Sequence, residues 1–317
     1  MTPYTAIRET GVCRYRLAAA ILVFSFVASA IQNGPVQAGT RGIVLQTDFG
    51  LKDGAVAAMK GVIFSVDSRL PIFDLTHEIP PFDIWEGAYR LRQAVRYWPS
   101  ETVFVSVVDP GVGTDRKSVV LRSKTGHYFV TPDNGTLTLI ADELGIDAIR
   151  QIDEELNRLQ GSALSHTFHG RDVYAYTGAR LASGVIRFSD VGPVLPKAVV
   201  SIPYQKATED GGMLSGTIPV LDPQFGNIWS NIGNDLLNRQ EISLGDLLRV
   251  KIMDKQTVKY AECMPYVRSF GDVPKGEPLL YLNSLLNVSV ALNWRNFAKT
   301  YGIESGSDWT IHIERCK

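Results

Sequence analysis

Val103-Phe104-Val105-Ser106-Val107-Val108-Asp109-Pro110-Gly111-Val112-Gly113-Thr114-Asp115-Arg116 joins an almost unbroken apolar run to a polar loop. A run this apolar suits a strand buried on both faces, as in a parallel sheet covered by helices. Asp109 stands where that strand ends, and the carboxyl ends of parallel strands face the ligand crevice. Two glycines and a proline make a tight loop where backbone can approach a ligand, with Asp109 and Arg116 seven residues apart around the forced turn. A plain Asp–Arg ion pair is the alternative reading of the same spacing.

The same alternation extends on both sides. Ile43–Thr47 is a short apolar strand ending in Asp48-Phe49-Gly50, and a helix is expected from about Asp53 to Val66. Pro71–Leu75 reads as a strand, and Asp83 as the cap of a helix running to about Tyr97. Ser118–Leu121 and Tyr128–Thr131 read as further strands, and Gly135–Leu144 and Arg171–Ser183 as helices. Strands alternating with helices predict an α/β domain with a mostly parallel sheet. Prolines 193, 196 and 203 and the polar run Lys206–Asp210 then mark a change of character. Beyond it lie seven short strand-like segments and one convincing helix, Trp294–Tyr301, which predict a smaller all-β domain, a barrel or a sandwich, with the barrel-like form expected. The expected division is 1–38 as a leader, 41–200 as the α/β domain, 201–212 as a linker and 213–317 as the β domain.

The chain has 317 residues, 32 Lys+Arg against 33 Asp+Glu, and a net charge of −1. Arg8, Arg14 and Arg16 precede an uncharged apolar stretch from Leu17 to Ile31, with small-x-small sites near its end, Ala28-Ser29-Ala30, and beyond it, Val36-Gln37-Ala38. This is the pattern of an export signal, cleaved near residue 30 or 38, and predicts a periplasmic or secreted protein. The stretch is shorter than the ~20 residues of a membrane-spanning helix, so no stable span is expected. Removing residues 1–38 takes away three arginines and Glu9, so the net charge moves from −1 to −3. A near-neutral chain is not a general polyanion binder, so nucleic acid is not an expected partner. Of three cysteines, Cys263 and Cys316 lie beyond the leader. They give no metal-ligand spacing, and the sequence leaves open a disulfide or two separate thiols.

Thr167-Phe168-His169-Gly170-Arg171-Asp172 is the densest polar cluster, and His169 is its general-base candidate because imidazole titrates near neutrality. A helix-capping network of Arg171 and Asp172 is the structural alternative. Asp222-Pro223-Gln224-Phe225-Gly226-Asn227 offers an aromatic face and polar groups for a ligand, or simply a strand–turn–strand corner. Other strings fail. Thr47-Asp48-Phe49-Gly50 contains a kinase-like Asp-Phe-Gly without the motifs that accompany it. His77-Glu78 lacks the second histidine of a helical zinc motif, and Pro80 and Pro81 would break that helix.

Taken in order, seven strings resemble the S-adenosyl-L-methionine (SAM) hydroxide adenosyltransferase family, whose relatives are the SAM-dependent fluorinase and chlorinase. They are Thr47–Gly50, Thr76-His77-Glu78-Ile79-Pro80-Pro81, Asp109–Thr114, Pro132-Asp133-Asn134-Gly135, Phe168–Asp172, Asp222–Asn227 and Tyr281-Leu282-Asn283-Ser284. The resemblance implies attack of water or hydroxide on the ribose C5′ of SAM, giving adenosine and L-methionine. It implies Asp109, Arg116 and His169 as the catalytic set that positions and activates the water. It implies Asp48 on the ribose hydroxyls and Phe82 where the fluorinase has a tryptophan against the ribose. Asp222 is implied for the methionine amino group and Ser284 for its carboxylate, with Phe225, Asn227, Phe270 and Asn293 lining the pocket. The implied assembly is a homotrimer with sites between subunits, with no cofactor beyond SAM as substrate and no metal. Leu285 departs from the fluorinase pattern, which has an arginine there. A non-catalytic SAM or nucleoside receptor is the competing reading, and a halogenase the more distant one.

Overall fold

The computed structural model describes residues 41–316, so the leader and both of its cleavage sites lie outside the described residues. The first part of the chain runs β1 (Ile43–Thr47), α1 (Ala55–Val66), β2 (Ile72–Thr76), α2 (Ile84–Val95), β3 (Val103–Val107), β4 (Ser118–Ser123), β5 (Tyr128–Pro132), α3 (Thr138–Leu144), β6 (Ile146–Gln151), a π-helical turn (Gly170–Ala175), α4 (Tyr176–Ala182) and β7 (Val194–Leu195). Its seven strands form one sheet in the order β2-β1-β3-β5-β4-β6-β7. β1, β3 and β5 are wholly buried, as an apolar run covered on both faces requires. One apolar layer packs β1 and β3 against α1, α4 and the π turn, and the other packs them against α2 and α3.

The expected mostly parallel sheet is corrected to a mixed one. β2, β1, β3 and β5 are parallel neighbours, whereas β4, β6 and β7 join antiparallel. The reason lies in connection length. Only Lys124–His127 separates β4 from β5, room for a hairpin but not for the crossover a parallel pair needs. β6 is an added strand, half exposed and without an apolar run to announce it.

Helix α4 lies very close to β3. A Cβ on Gly178 would stand 2.7 Å from Val105 Cγ2. Gly178→Ala is therefore expected to lower stability by about 1–3 kcal/mol through overpacking, even though alanine gains ~1 kcal/mol over glycine inside a helix. Urea unfolding checks this, and an unchanged midpoint would show that helix and strand separate freely.

The second part runs β8 (Thr208–Asp210), β9 (Met213–Ile218), β10 (Val220–Leu221), β11 (Ile228–Gly233), α5 (Asn234–Arg239), β12 (Leu247–Asp254), β13 (Thr257–Pro265), β14 (Pro278–Leu282), β15 (Asn287–Leu292), α6 (Phe297–Tyr301) and β16 (Gly306–Arg315). Two antiparallel sheets form, in the orders β10-β11-β15-β14 and β13-β12-β16-β9-β8. They share one apolar core that includes Ile228 and Val290 from the first sheet and Val250, Ile311 and Ile313 from the second. The ladders among the described residues do not close into a barrel; a single bridge from Tyr266 to Leu280 links the two sheets at one edge.

The expected linker is fastened at both ends. Val200 N donates to Asp133 Oδ1 and Ile202 N to Thr138 Oγ1, while Thr208–Asp210 pairs with β9. The two parts also pack together around Tyr89, Leu139, Val220 and Leu285, with Trp85 Nε1 donating to the Pro219 carbonyl at 3.0 Å. Cys263 and Cys316 are joined by a disulfide with a Cα–Cα distance of 6.3 Å. Among the described residues, no helix is long and apolar enough to cross a membrane.

Candidate active site

Asp48 and Asp109 both follow the carboxyl ends of parallel neighbours, β1 and β3, and so meet at one edge of the sheet. Buried polar contacts fix each loop. Thr47 Oγ1 meets His77 Nδ1 at 2.9 Å, His77 Nε2 meets Asp74 Oδ1 at 3.0 Å, and Gly50 N donates to the His77 carbonyl at 2.7 Å. His77 thus shapes the Asp48 loop. Asn134 Nδ2 donates to the Val108 carbonyl at 2.8 Å and pins the strand end just before Asp109. Asp48 Oδ2 accepts from Phe82 N at 3.0 Å, holding Phe82 at φ 69°, a conformation that a bulky residue seldom adopts. The Phe82 ring is left 71% exposed.

A cavity of about 260 Å³ opens here, lined by Asp48, Phe49, Pro81, Phe82, Val107, Asp109, Val112 and Thr167–Gly170. Every lining residue comes from the first part of the chain. Gly170 lets the Phe49 ring pack close at its wall, since a Cβ there would stand 3.1 Å from that ring. His169 immediately precedes the π-helical turn, a geometry often found at functional sites.

Asp109 and Arg116 form a two-pronged pair. Arg116 Nε donates to Oδ1 at 2.9 Å and Nη2 to Oδ2 at 2.6 Å, with both side chains almost buried. Arg116 Nη1 donates to Ser118 Oγ at 3.1 Å, and Nη2 also lies 3.0 Å from His169 Nδ1. Asp109, Arg116 and His169, three residues that sequence reading singled out from two distant segments, are therefore contiguous. Asp109 does not orient the imidazole directly, because the guanidinium stands between them. The other charged members of the 167–172 cluster pair with each other, Arg171 Nε donating to the fully buried Asp172 at 2.6 Å, and no side chain caps the turn.

Two residues of this site escaped the sequence reading. Arg158 Nη2 lies 3.1 Å from His169 Nε2 and donates to Glu154 Oε2 at 2.6 Å. Glu154 Oε1 accepts from Ser118 Oγ at 3.0 Å and is 3.9 Å from His169 Nδ1. The available signal was an acid and an arginine four apart in a polar turn after a strand, which is common on ordinary surfaces. Burial, followed in effect by Arg116 and Arg158, outweighs the attraction of Glu154 and holds the His169 imidazole below its ordinary 6.5. Burial works against ionised Glu154, but its bonds from Arg158 and Ser118 keep it below the usual carboxylate range. Burial likewise opposes the Arg116 charge, and Asp109 overcomes it, so Arg116 stays cationic.

The second part brings together another group. Asp222 Oδ1 accepts from Gln224 N and Phe225 N, and Oδ2 accepts from Asn227 Nδ2 at 3.1 Å. This closed turn leaves the Phe225 ring 65% exposed. Asn293 Nδ2 donates to the Val273 carbonyl at 2.8 Å, and Phe270 packs on Tyr281 with ring centres 4.9 Å apart. Burial pushes the Tyr281 phenol up to about 12, so it remains a proton donor. Ser284 stands apart from Asn293. It lies in the turn joining β14 to β15, at the other end of a hairpin whose register pairs Pro278 with Leu292. None of these residues lines the Asp109 cavity. Among the described residues, no group of three or more His, Cys, Asp or Glu is placed to hold a metal ion.

Comparison with known proteins decides the family. The SAM hydroxide adenosyltransferase N-terminal domain matches residues 43–192, and the C-terminal domain of the same family matches 216–310. The chain belongs to this family. It is 38% identical over 232 residues, 72% of this chain and 80% of the relative, to an (R)-S-adenosyl-L-methionine hydrolase of Methanocaldococcus jannaschii. It is 37% identical to another from Salinispora tropica, across 85% of this chain and 97% of that one. A fluorinase of Actinoplanes is 30% identical across 85% of this chain and 96% of its own length. A crystal structure of an uncharacterized conserved protein from Thermotoga maritima superposes with a TM-score of 0.80 at 33% identity, covering 86% of this chain and all of the other.

Proposed function

We propose that this protein hydrolyses SAM, in the (R)-sulfonium form, to adenosine and L-methionine. The observation that carries this reading is the Asp109–Arg116–His169 constellation, whose Asp109 and His169 line a cavity with Arg116 bonded between them, in a chain whose similar relatives bear the name (R)-SAM hydrolase. The substrate is a sulfonium, so its sulfur leaves as a neutral thioether and needs no acid. The difficulty is the nucleophile. Water has a pKa near 15.7, so free hydroxide at pH 7 costs about 9 units, or about 12 kcal/mol.

The residues divide that task. Arg116 stays protonated and stabilises charge developing on the water oxygen. Asp109 fixes its plane through two bonds. His169, neutral at pH 7, takes a water proton on a ring nitrogen that its guanidinium partner vacates as the water enters; the C5′–O bond forms as the C5′–S bond breaks, and the sulfur keeps the bonding electron pair. General-base help of this kind gives about 10²–10⁴-fold, and holding the water in line with the C5′–S bond supplies an entropic part. Asp48 binds the ribose hydroxyls, and Phe49, Phe82 and Phe168 wall the cavity from bulk water.

The binding group of the second part, Asp222, Phe225, Asn227, Phe270 and Asn293, completes the site across a subunit boundary in a homotrimer, with Ser284 at the far end of an extended substrate. Support comes from two half-sites with exposed aromatic residues: Phe82 is 71% and Phe225 65% exposed. The reaction needs no metal or further cofactor, and the leader directs the enzyme out of the cytoplasm.

Supplying the resolved (R) and (S) epimers of SAM separately and following adenosine by chromatography tests this reading. Multiple turnovers of the (R) epimer are expected. Saturable binding without product over many equivalents would identify a receptor, and 5′-halo-5′-deoxyadenosine formed with added halide would identify a halogenase. The pH profile gives a further check. The depressed His169 must be unprotonated to act, so kcat/KM should hold through neutral pH and fall only as pH drops below the ordinary imidazole range. A limb already falling at pH 7.5 would contradict that sign.

A further inference from the structure

His169 is held between two guanidiniums, Arg116 Nη2 at 3.0 Å from Nδ1 and Arg158 Nη2 at 3.1 Å from Nε2. A neutral imidazole carries one N–H and one lone pair, so it accepts from only one of them. Arg116 is the fixed partner, tied to both oxygens of Asp109 and to Ser118. Arg158 is bonded through Nη2 to Glu154, while its Nη1 is buried without a partner. Glu154 faces both sides: it carries Arg158 on Oε2, and its Oε1 is 3.9 Å from His169 Nδ1.

We infer that Glu154 and Arg158 are a positioning pair for His169, holding the ring neutral between two cations at rest and supporting it once it takes the proton of the attacking water. This rests on the hydrolase reading above. Arg158 repels a second positive charge on the ring, so the resting imidazole is the free base. Glu154 anchors that arginine and supplies the carboxylate that faces the imidazolium during turnover. The other titratable groups around the ring are Asp109, reached through Arg116, Tyr174, whose hydroxyl donates to Asp109 Oδ2 at 3.4 Å, and His166, with its ring centre 6.4 Å away. Burial pushes the Tyr174 phenol far above its ordinary value, so it stays neutral.

The two members act in opposite directions, which a merely structural role would not do. Arg158→Gln removes a cation and should raise the His169 pKa by about one unit; Glu154→Gln removes an anion and should lower it by about one unit. Arg158→Lys keeps the charge and should leave the value within a few tenths of the wild type. Nitrogen-15 NMR titration of histidine-labelled protein reads the ring directly, with His169→Asn assigning its signal. The acid limb of kcat/KM should move the same way. Opposite shifts in folded variants support the pair. Shifts in one direction, or none, overturn it. The NMR titration needs no substrate, so opposite shifts in a protein that releases no adenosine would defeat the hydrolase reading alone. Normal turnover with an unmoved His169 would defeat the pair alone.

Discussion

Arg116→Ala is expected to lower kcat for adenosine release by about 10²–10³-fold, the range found when one preorganised charge stabiliser is removed. KM should change less, because the guanidinium acts on charge that develops on the water oxygen during attack. The substitution also strands Asp109, whose side chain is only 5% exposed, without its two-pronged partner. Breaking one side of such a buried pair costs about 3–5 kcal/mol of stability, so the variant must be assayed at a temperature where it remains folded. Arg116→Lys separates the two effects. It restores a charge beside Asp109 but not the planar fork, so it should recover most of the stability and little of the rate. Full-rate adenosine release by the alanine variant would remove Arg116 from the chemistry.

Reduction of the Cys263–Cys316 disulfide is expected to cost up to ~4 kcal/mol, the loop-entropy value for a bridge of this span, given its separation of 53 residues. The bridge ties the end of β13 to the residue after β16, so the loop it closes holds β14, β15, α6 and β16. β13 and β16 flank β12, and Cys316 N donates to the Leu247 carbonyl at its start. Cys263→Ser should lower the midpoint of thermal unfolding as much as a reductant lowers that of the wild type. The reductant should then have no further effect on the variant. Neither change touches the Asp109 cavity, so turnover at low temperature should persist. Equal midpoints with and without reductant would show that the bridge adds nothing to stability.

What could be read from the sequence followed from how local each signal is. The run Val103–Val108 announced its strand because burial on both faces demands apolar residues at every position. Asp83 announced α2 because its carboxylate accepts from Glu86 N at the helix start. The pairing direction of β4 to β7 was less legible, since it depends on what each strand meets across the sheet and not on its own residues. The two-sheet form of the second part was hidden for the same reason: an alternating strand looks alike in a barrel and a sandwich. Asp109, Arg116 and His169 could be found because each sits in a glycine-punctuated string. Glu154 and Arg158 sit in none, and only the fold brings them onto the imidazole.

The most direct test of the central claim, that water attacks C5′, is hydrolysis of (R)-SAM in ¹⁸O-labelled water, with mass spectrometry of both products. The account predicts one labelled oxygen in the 5′-hydroxyl of adenosine and none in methionine. Adenosine without the label, or label confined to methionine, would contradict it.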